Sequence, residues 1–251
     1  MANIRVAVIN ASTVLTDEQV QAAVPALQTQ VRRDFAPAWG IDADLSFVPC
    51  NAIPDPGLWW LTVLDDSDQA GALGYHDVTD EGLPLGKVFA KADLRYGSRW
   101  TVTASHELLE MLADPEVNLT VFVQQSDQGG RLYAYEVCDA CEADELGYAI
   151  DGTLVSDFVY PAWFEPSRDP GSAKFDYANK VQAPFELLPG GYIGVFDVTA
   201  GVGWQQITAQ GSAPKYRMRP QVGSRRERRR TLRDQWLRSL ARGQPSKGAP
   251  Q

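Results

Sequence analysis

The chain has 251 residues, 44% of them hydrophobic, and a formal net charge of −9. That is enough apolar material for one sizeable core or two lobes around a cleft. No apolar run reaches the length of a membrane span, no basic-then-apolar leader precedes the first strand, and three cysteines (Cys50, Cys138, Cys141) make no disulfide framework. A cytoplasmic or particle-associated protein without a transmembrane segment or signal peptide is expected.

Ile4 to Ile9 reads as a first strand. Thr16 to about Phe35 reads as a helix, opened by a capping box of Thr16 and Gln19 and interrupted by Pro25, where a kink or restart is expected. Leu45 to Val48 is a second strand, and Asn51 to Gly57 is a Pro/Gly loop. Leu58 to Leu64 is an apolar run suited to a central strand. Asp65-Asp66-Ser67-Asp68 lacks the glycine and glutamate spacing of a calcium loop and reads as a solvated turn. Gly71 to His76 and Gly86 to Ala90 read as two short strands around a loop with Gly82 and Pro84.

Ser105 to Pro115 carries the densest chemistry. On an ideal helix, with His106 at zero, Glu110 lies near 40°, Asp114 near 80° and Glu107 near 100°. Leu109, Leu112 and Leu108 fall at about 300°, 240° and 200°. The result is an amphipathic helix whose polar arc is rich in ligand-type side chains. Thr101, Thr103 or Ser105 is the expected cap, and Pro115 marks the end. A solvated acidic face carrying one incidental histidine is the competing reading.

His106-Glu107-x-x-Glu110, together with the preceding segment Gly71 to Lys91, resembles zinc peptidases of the zincin class. Their His-Glu-x-x-His helix follows a strand that lines the substrate cleft. The departure is Glu110, which stands where that family has its second histidine. The chain also resembles a group of bacterial and phage proteins with a His-Glu-x-x-Glu-x-x-x-Asp-Pro helix and a downstream Glu-Val-x-Asp-x-Cys segment, here Glu136-Val137-Cys138-Asp139-Ala140-Cys141. The resemblance implies a metal held by His106 and Glu110, with Glu107 as general base. The third ligand is Glu136, then Asp139, then Asp114, which reads equally well as a helix-end turn residue. A carboxylate at position 110 ligates zinc but lowers its Lewis acidity, and makes manganese or calcium acceptable. A site without any cation is the remaining reading.

Cys138-x-x-Cys141 without a second pair is read first as a local disulfide, then as a source of a thiolate ligand. His76, the only other histidine, is read either as a group that reaches the cleft or as a loop residue. Beyond Pro115 the chain is rich in strands and loops: Val121 to Gln124, Leu132 to Val137, Ala149 to Val155 around an Asp151-Gly152 turn, and a closing hairpin of Pro184 to Asp197 with Gly203 to Thr208. Tyr160, in an aromatic stretch from Ser156 to Pro166, is a candidate proton donor to an oxyanion, with a core role as the alternative.

Residues 221–251 hold eight Arg and one Lys against Glu227 and Asp234, a charge of +7, so residues 1–220 carry −16. This boundary divides a domain at 1–220 from a basic, partly helical or disordered tail at 221–251. The tail is expected to dock on an acidic protein surface or assembly, with nucleic acid as a further option. The expected fold class is α+β, zincin-like: a mixed twisted sheet with an N-terminal helix and an active-site helix above a strand- and loop-rich lower part. Two functions follow. One is a metal-dependent hydrolase, a peptidase acting on peptide or protein, with zinc or alternatively manganese or calcium. The other is a non-catalytic accessory component of a phage or secretion-type particle, with a structural ion or a polar network at the same residues.

Overall fold

The computed structural model describes residues 4–69, 71–79 and 81–209. It is a mixed α+β protein. A five-stranded sheet is built from β1 (Ile4–Asn10), β2 (Ala43–Val48), β3 (Trp59–Leu64), β4 (Gly74–Val78) and β5 (Pro84–Phe89), in the order β2-β1-β3-β5-β4. Every neighbouring pair is parallel except β4, which runs antiparallel to β5 at one edge. Side chains alternate across the sheet with the period of two that strands impose. Val6, Val8, Leu61, Val63 and Val88 join the main core, while Ala7, Ile9, Trp60 and Leu85 form a smaller cluster apart from it.

The main core also takes in Val20 and Leu27 of α1 (Asp17–Thr29) and Leu108, Leu109 and Leu112 of a later helix, so both helices cover the same face. Thr16 and Gln19 cap α1 reciprocally, as the sequence predicts. The helix does not restart at Pro25. It continues to Thr29, widens into a π-helical turn over Gln30–Phe35, and ends in α2 (Ala36–Trp39). The wider turn directs Gln30, Val31, Asp34 and Phe35 inward together. Gln30 there donates to the Ser156 carbonyl at 2.8 Å, and Asp34 accepts from Tyr148 and Tyr177 at 2.9 Å each.

A helix unforeseen from the sequence, α3 (Ala90–Tyr96), precedes α4 (Trp100–Ala113). α4 begins a turn earlier than expected. The capping role falls to none of the three hydroxyls: the Arg99 N–H donates to Asp144 at 2.8 Å. Thr101, Thr103 and Ser105 instead tie the helix to its surroundings, through the Leu154 carbonyl, the Asp93 carboxyl and the Ser156 N–H. Asp114 closes the helix, its carboxylate accepting from the Asn118 and Leu119 N–H groups at 3.0 Å each. That is the helix-end role.

A second, four-stranded sheet is built from β6 (Thr120–Ser126), β7 (Gly129–Ala134), β10 (Tyr192–Asp197) and β11 (Trp204–Thr208), in the order β11-β10-β7-β6. A separate hairpin pairs β8 (Tyr148–Ile150) with β9 (Thr153–Val155). It turns at Asp151 and Gly152, both at positive φ, as the sequence predicts. The acidic turn at 65–68 is used structurally: Asp65 accepts from Ser12 and Thr13, Asp66 pairs with Lys91, and Asp68 with Lys87 and Tyr75. No helix among the described residues is long and apolar enough to cross a membrane. The basic tail, and the boundary proposed at 220, lie outside the described residues.

One buried carboxyl on α3 sets a pH dependence. Asp93 is fully buried; its carboxyl Oδ1 accepts from Thr103, and its Oδ2 meets no hydrogen-bond partner among the described residues. Burial, helped by the Asp144 and Glu107 carboxylates, raises its pKa to about 8. The folded state therefore keeps this proton while the unfolded chain loses it near pH 4. The resulting stability is complete below that pH and disappears as pH rises through about 8. Asp93→Asn should flatten this dependence. Denaturant unfolding at pH 5 and pH 9 should show the wild-type difference shrinking by on the order of 1–4 kcal/mol.

Candidate metal centre

The polar arc of α4 is not solvated. Val102 and every residue from Ala104 to Ala113 are buried, His106, Glu107 and Glu110 among them. β4 covers one side of this arc. Its alternate residues Gly74 and His76 face α4, while Tyr75 turns to the other side against Phe89. The segment after β7 covers the other side with Glu136 and, in the 3-10 turn Asp139–Cys141, with Asp139. Glu136 therefore follows the strand and is not part of it.

Glu110 is the hub. Its Oε1 accepts from the Cys138 N–H at 3.1 Å. Its Oε2 stands 3.5 Å from His76 Nδ1 and 3.2 Å from His106 Nε2. His76 Nε2 lies 3.5 Å from Glu136, and His106 Nε2 lies 3.2 Å from Asp139. Glu107 Oε2 comes within 3.6 Å of His76 Nδ1. None of these approaches is as short as the 2.7–2.9 Å usual for a charged hydrogen bond.

Space for Glu107 is made by glycine. A Cβ on Gly74 would fall 2.7 Å from Glu107 Oε1 and 2.7 Å from Thr103 Cγ2, although its backbone would accept any residue. Gly74→Ala should therefore displace the Glu107 carboxylate. We expect about 1–3 kcal/mol of lost stability from overpacking and at least about a tenfold loss of any Glu107-dependent turnover, with cation content unchanged. Thermal unfolding, metal analysis and steady-state rates would check the three parts.

In the cation-free protein, protons hold the cluster together. Burial opposes charge on His76, but the Glu107 and Glu110 carboxylates outweigh it and raise its pKa to about 9. Burial likewise opposes charge on His106, and Glu110 and Asp139 lift it well above the ordinary imidazole value. Burial also opposes charge on Glu110, but the imidazoles hold it well below the carboxylate range. Asp139 is pushed up by burial and by Glu110. Burial raises both Cys138 and Cys141 far above the usual thiol range. The two are free thiols, so the expected local disulfide is absent.

The donor set fits a divalent cation. Two ligands on one ion at about 2.0–2.2 Å sit about 3.0–3.6 Å apart for octahedral to tetrahedral angles. His106 Nε2 meets Glu110 and Asp139 at 3.2 Å, His76 Nδ1 meets Glu110 and Glu107 at 3.5 and 3.6 Å, and His76 Nε2 meets Glu136 at 3.5 Å, each pair within that spacing although one ion takes only one nitrogen of a given imidazole. Two atoms in their midst, His76 Nε2 and Glu107 Oε2, are buried and make no hydrogen bond among the described residues. Imidazole nitrogens with carboxylate oxygens suit zinc or manganese, whereas calcium prefers oxygen alone.

The sequence-derived trio of His106, Glu110 and Glu136 is not one group. Glu110 and Glu136 gather with His76, while His106 gathers with Asp139 and Glu142, or with Glu110 and Cys138. Tyr160 is not brought to the cluster: its ring stacks on Phe158 and lies under Lys174. His76, read from the sequence as a cleft group or a loop residue, and Glu142 are the donors that the sequence reading did not name as ligands. The signal for His76 was available, since a hairpin strand starting at Gly74 puts residues 74, 76 and 78 on one face. No protein-family model, curated protein sequence or solved structure matches the chain.

Proposed function

We propose that the chain is a metal-dependent hydrolase of zincin-like build, acting on peptide or protein, with zinc or manganese held at Glu110 by donors from the cluster of His76, His106, Glu136 and Asp139. When bound, the cation supplies a Lewis acid that lowers the pKa of water and polarises a carbonyl. Glu107 takes the proton from the attacking water and returns it to the leaving amine. The Cys138 N–H fixes the orientation of Glu110. The observation that carries the proposal is Glu107 Oε2: a buried carboxylate oxygen without a hydrogen bond, 3.6 Å from His76 Nδ1, inside a donor set with ligand spacing. Such an oxygen calls for a partner, and a cation among the surrounding donors would supply one.

Metal analysis of the purified and zinc- or manganese-reconstituted protein, alongside hydrolysis of an unfolded protein substrate, tests it. The expected result is bound metal, hydrolysis lost on chelation, and hydrolysis lost with metal retained in Glu107→Gln. Hydrolysis that survives in Glu107→Gln sinks the assigned base.

Burial of His76, His106, Glu107, Glu110 and Asp139 favours a second reading. Closed sites are the mark of structural ions, and such an ion would suit a non-catalytic accessory protein of a phage or secretion-type particle. Metal retention without hydrolysis in the wild type, together with a large fall in melting temperature on chelation, would select that reading.

A further inference from the structure

We infer that the centre is built for two divalent cations that share the Glu110 carboxylate; the inference rests on the metal-centre reading above. The donors divide into two sets on either side of Glu110 Oε2. His106 Nε2 meets both Asp139 and Glu110 Oε2 at 3.2 Å. His76 meets Glu110 Oε2 through Nδ1 and Glu136 through Nε2, at 3.5 Å each, and one atom from each of these three residues falls within 4.8 Å of the others. Each of the donor groups that closes to within 4.8 Å contains one histidine, not both: His76 with Glu110 and Glu136, His106 with Asp139 and Glu142, and His106 with Glu110 and Cys138. A single ion would leave one imidazole and its carboxylate outside its shell. Paired ions held by a bridging carboxylate sit about 3.5–4 Å apart, the span that a carboxylate shared between two ligand sets serves.

Charge leads to the same count. Glu107, Glu110, Glu136 and Asp139 bring four negative charges to neutral imidazoles in a largely buried site. One dication offsets two of those charges, and a second dication offsets the other two. Uncompensated buried charge is strongly unfavourable. Glu107 Oε2 and His76 Nε2, buried and without hydrogen bonds, point to the cations as their missing partners.

The full-length protein, stripped by chelation and reloaded with Mn2+, decides the matter by metal analysis and electron paramagnetic resonance. We expect about two ions per chain and the spectrum of an exchange-coupled pair. Glu136→Gln and Asp139→Asn should each bring the content to about one ion and replace the coupled spectrum with an isolated six-line signal. One ion per wild-type chain with an isolated signal overturns the two-ion centre and leaves the single-metal reading intact. No bound Mn2+ or Zn2+ overturns both. The wild-type measurement is decisive even where a variant fails to fold.

Discussion

Glu110→Gln should weaken cation binding by more than about 100-fold, the upper range for loss of a residue that only supports a ligand. The side chain keeps its shape, so the Cys138 N–H can still be satisfied by the amide oxygen. What is lost is the anionic oxygen facing His76 and His106 together. An amide nitrogen there presents hydrogens to the cation, and an amide oxygen there removes the Cys138 contact instead. Either orientation removes one contribution that the carboxylate makes. Competition against a chelating dye, at a pH above the His76 value of about 9 and again near neutrality, measures the loss without reference to turnover. Wild-type affinity in Glu110→Gln would remove Glu110 from the ligand set and the hub from the centre.

The same residue shows what was legible beforehand. The helical spacing of His106, Glu107 and Glu110 marked a chemical face, and the Leu108, Leu109 and Leu112 arc marked a packed one. Both are local properties of a helix. Whether the polar arc met solvent was not local: it is buried because β4 and the segment 136–139 cover it, and those lie far away in sequence. His76 was under-read for the same reason. Its role depends on the antiparallel register that sets it opposite Gly86, beside α4. The strand order along the chain was legible from apolar runs, and the Thr16–Gln19 box and the Asp151-Gly152 turn from their own chemistry. Pro25 misled because it removes one N–H yet leaves room for the helix to pass, while the real irregularity follows buried polar residues at 30 and 34 whose partners lie more than a hundred residues downstream. The cysteine pair misled because C-x-x-C spacing describes proximity, while burial and reduction are set by the surrounding core.

Glu107→Gln is the second large effect, and it is expected to move function and stability in opposite directions. Glu107 meets no ligand-set residue closer than 3.6 Å, and the surrounding pocket, stripped by Gly74 and bordered by Gly86, fits a side chain of its length. The isosteric amide should fold into the same place and leave cation content unchanged. Loss of the general base should lower kcat by about 10²–10⁴-fold with little change in KM. At the same time the substitution removes a buried negative charge whose Oε2 makes no hydrogen bond. In the cation-free protein at a pH above about 9, where His76 is neutral and no longer pairs with Glu107, that should raise stability by on the order of 1–3 kcal/mol, the usual cost of an unsatisfied buried polar group. A residue kept for packing would lose stability on substitution and leave rate untouched. A residue kept for proton transfer at the expense of stability shows the reverse, as active-site groups commonly do. Steady-state rates and denaturant unfolding of the same Glu107→Gln preparation, with and without chelator, separate the two. A variant that is less stable and equally active would assign Glu107 to the scaffold and leave the buried donors around Glu110 as a structural ion site.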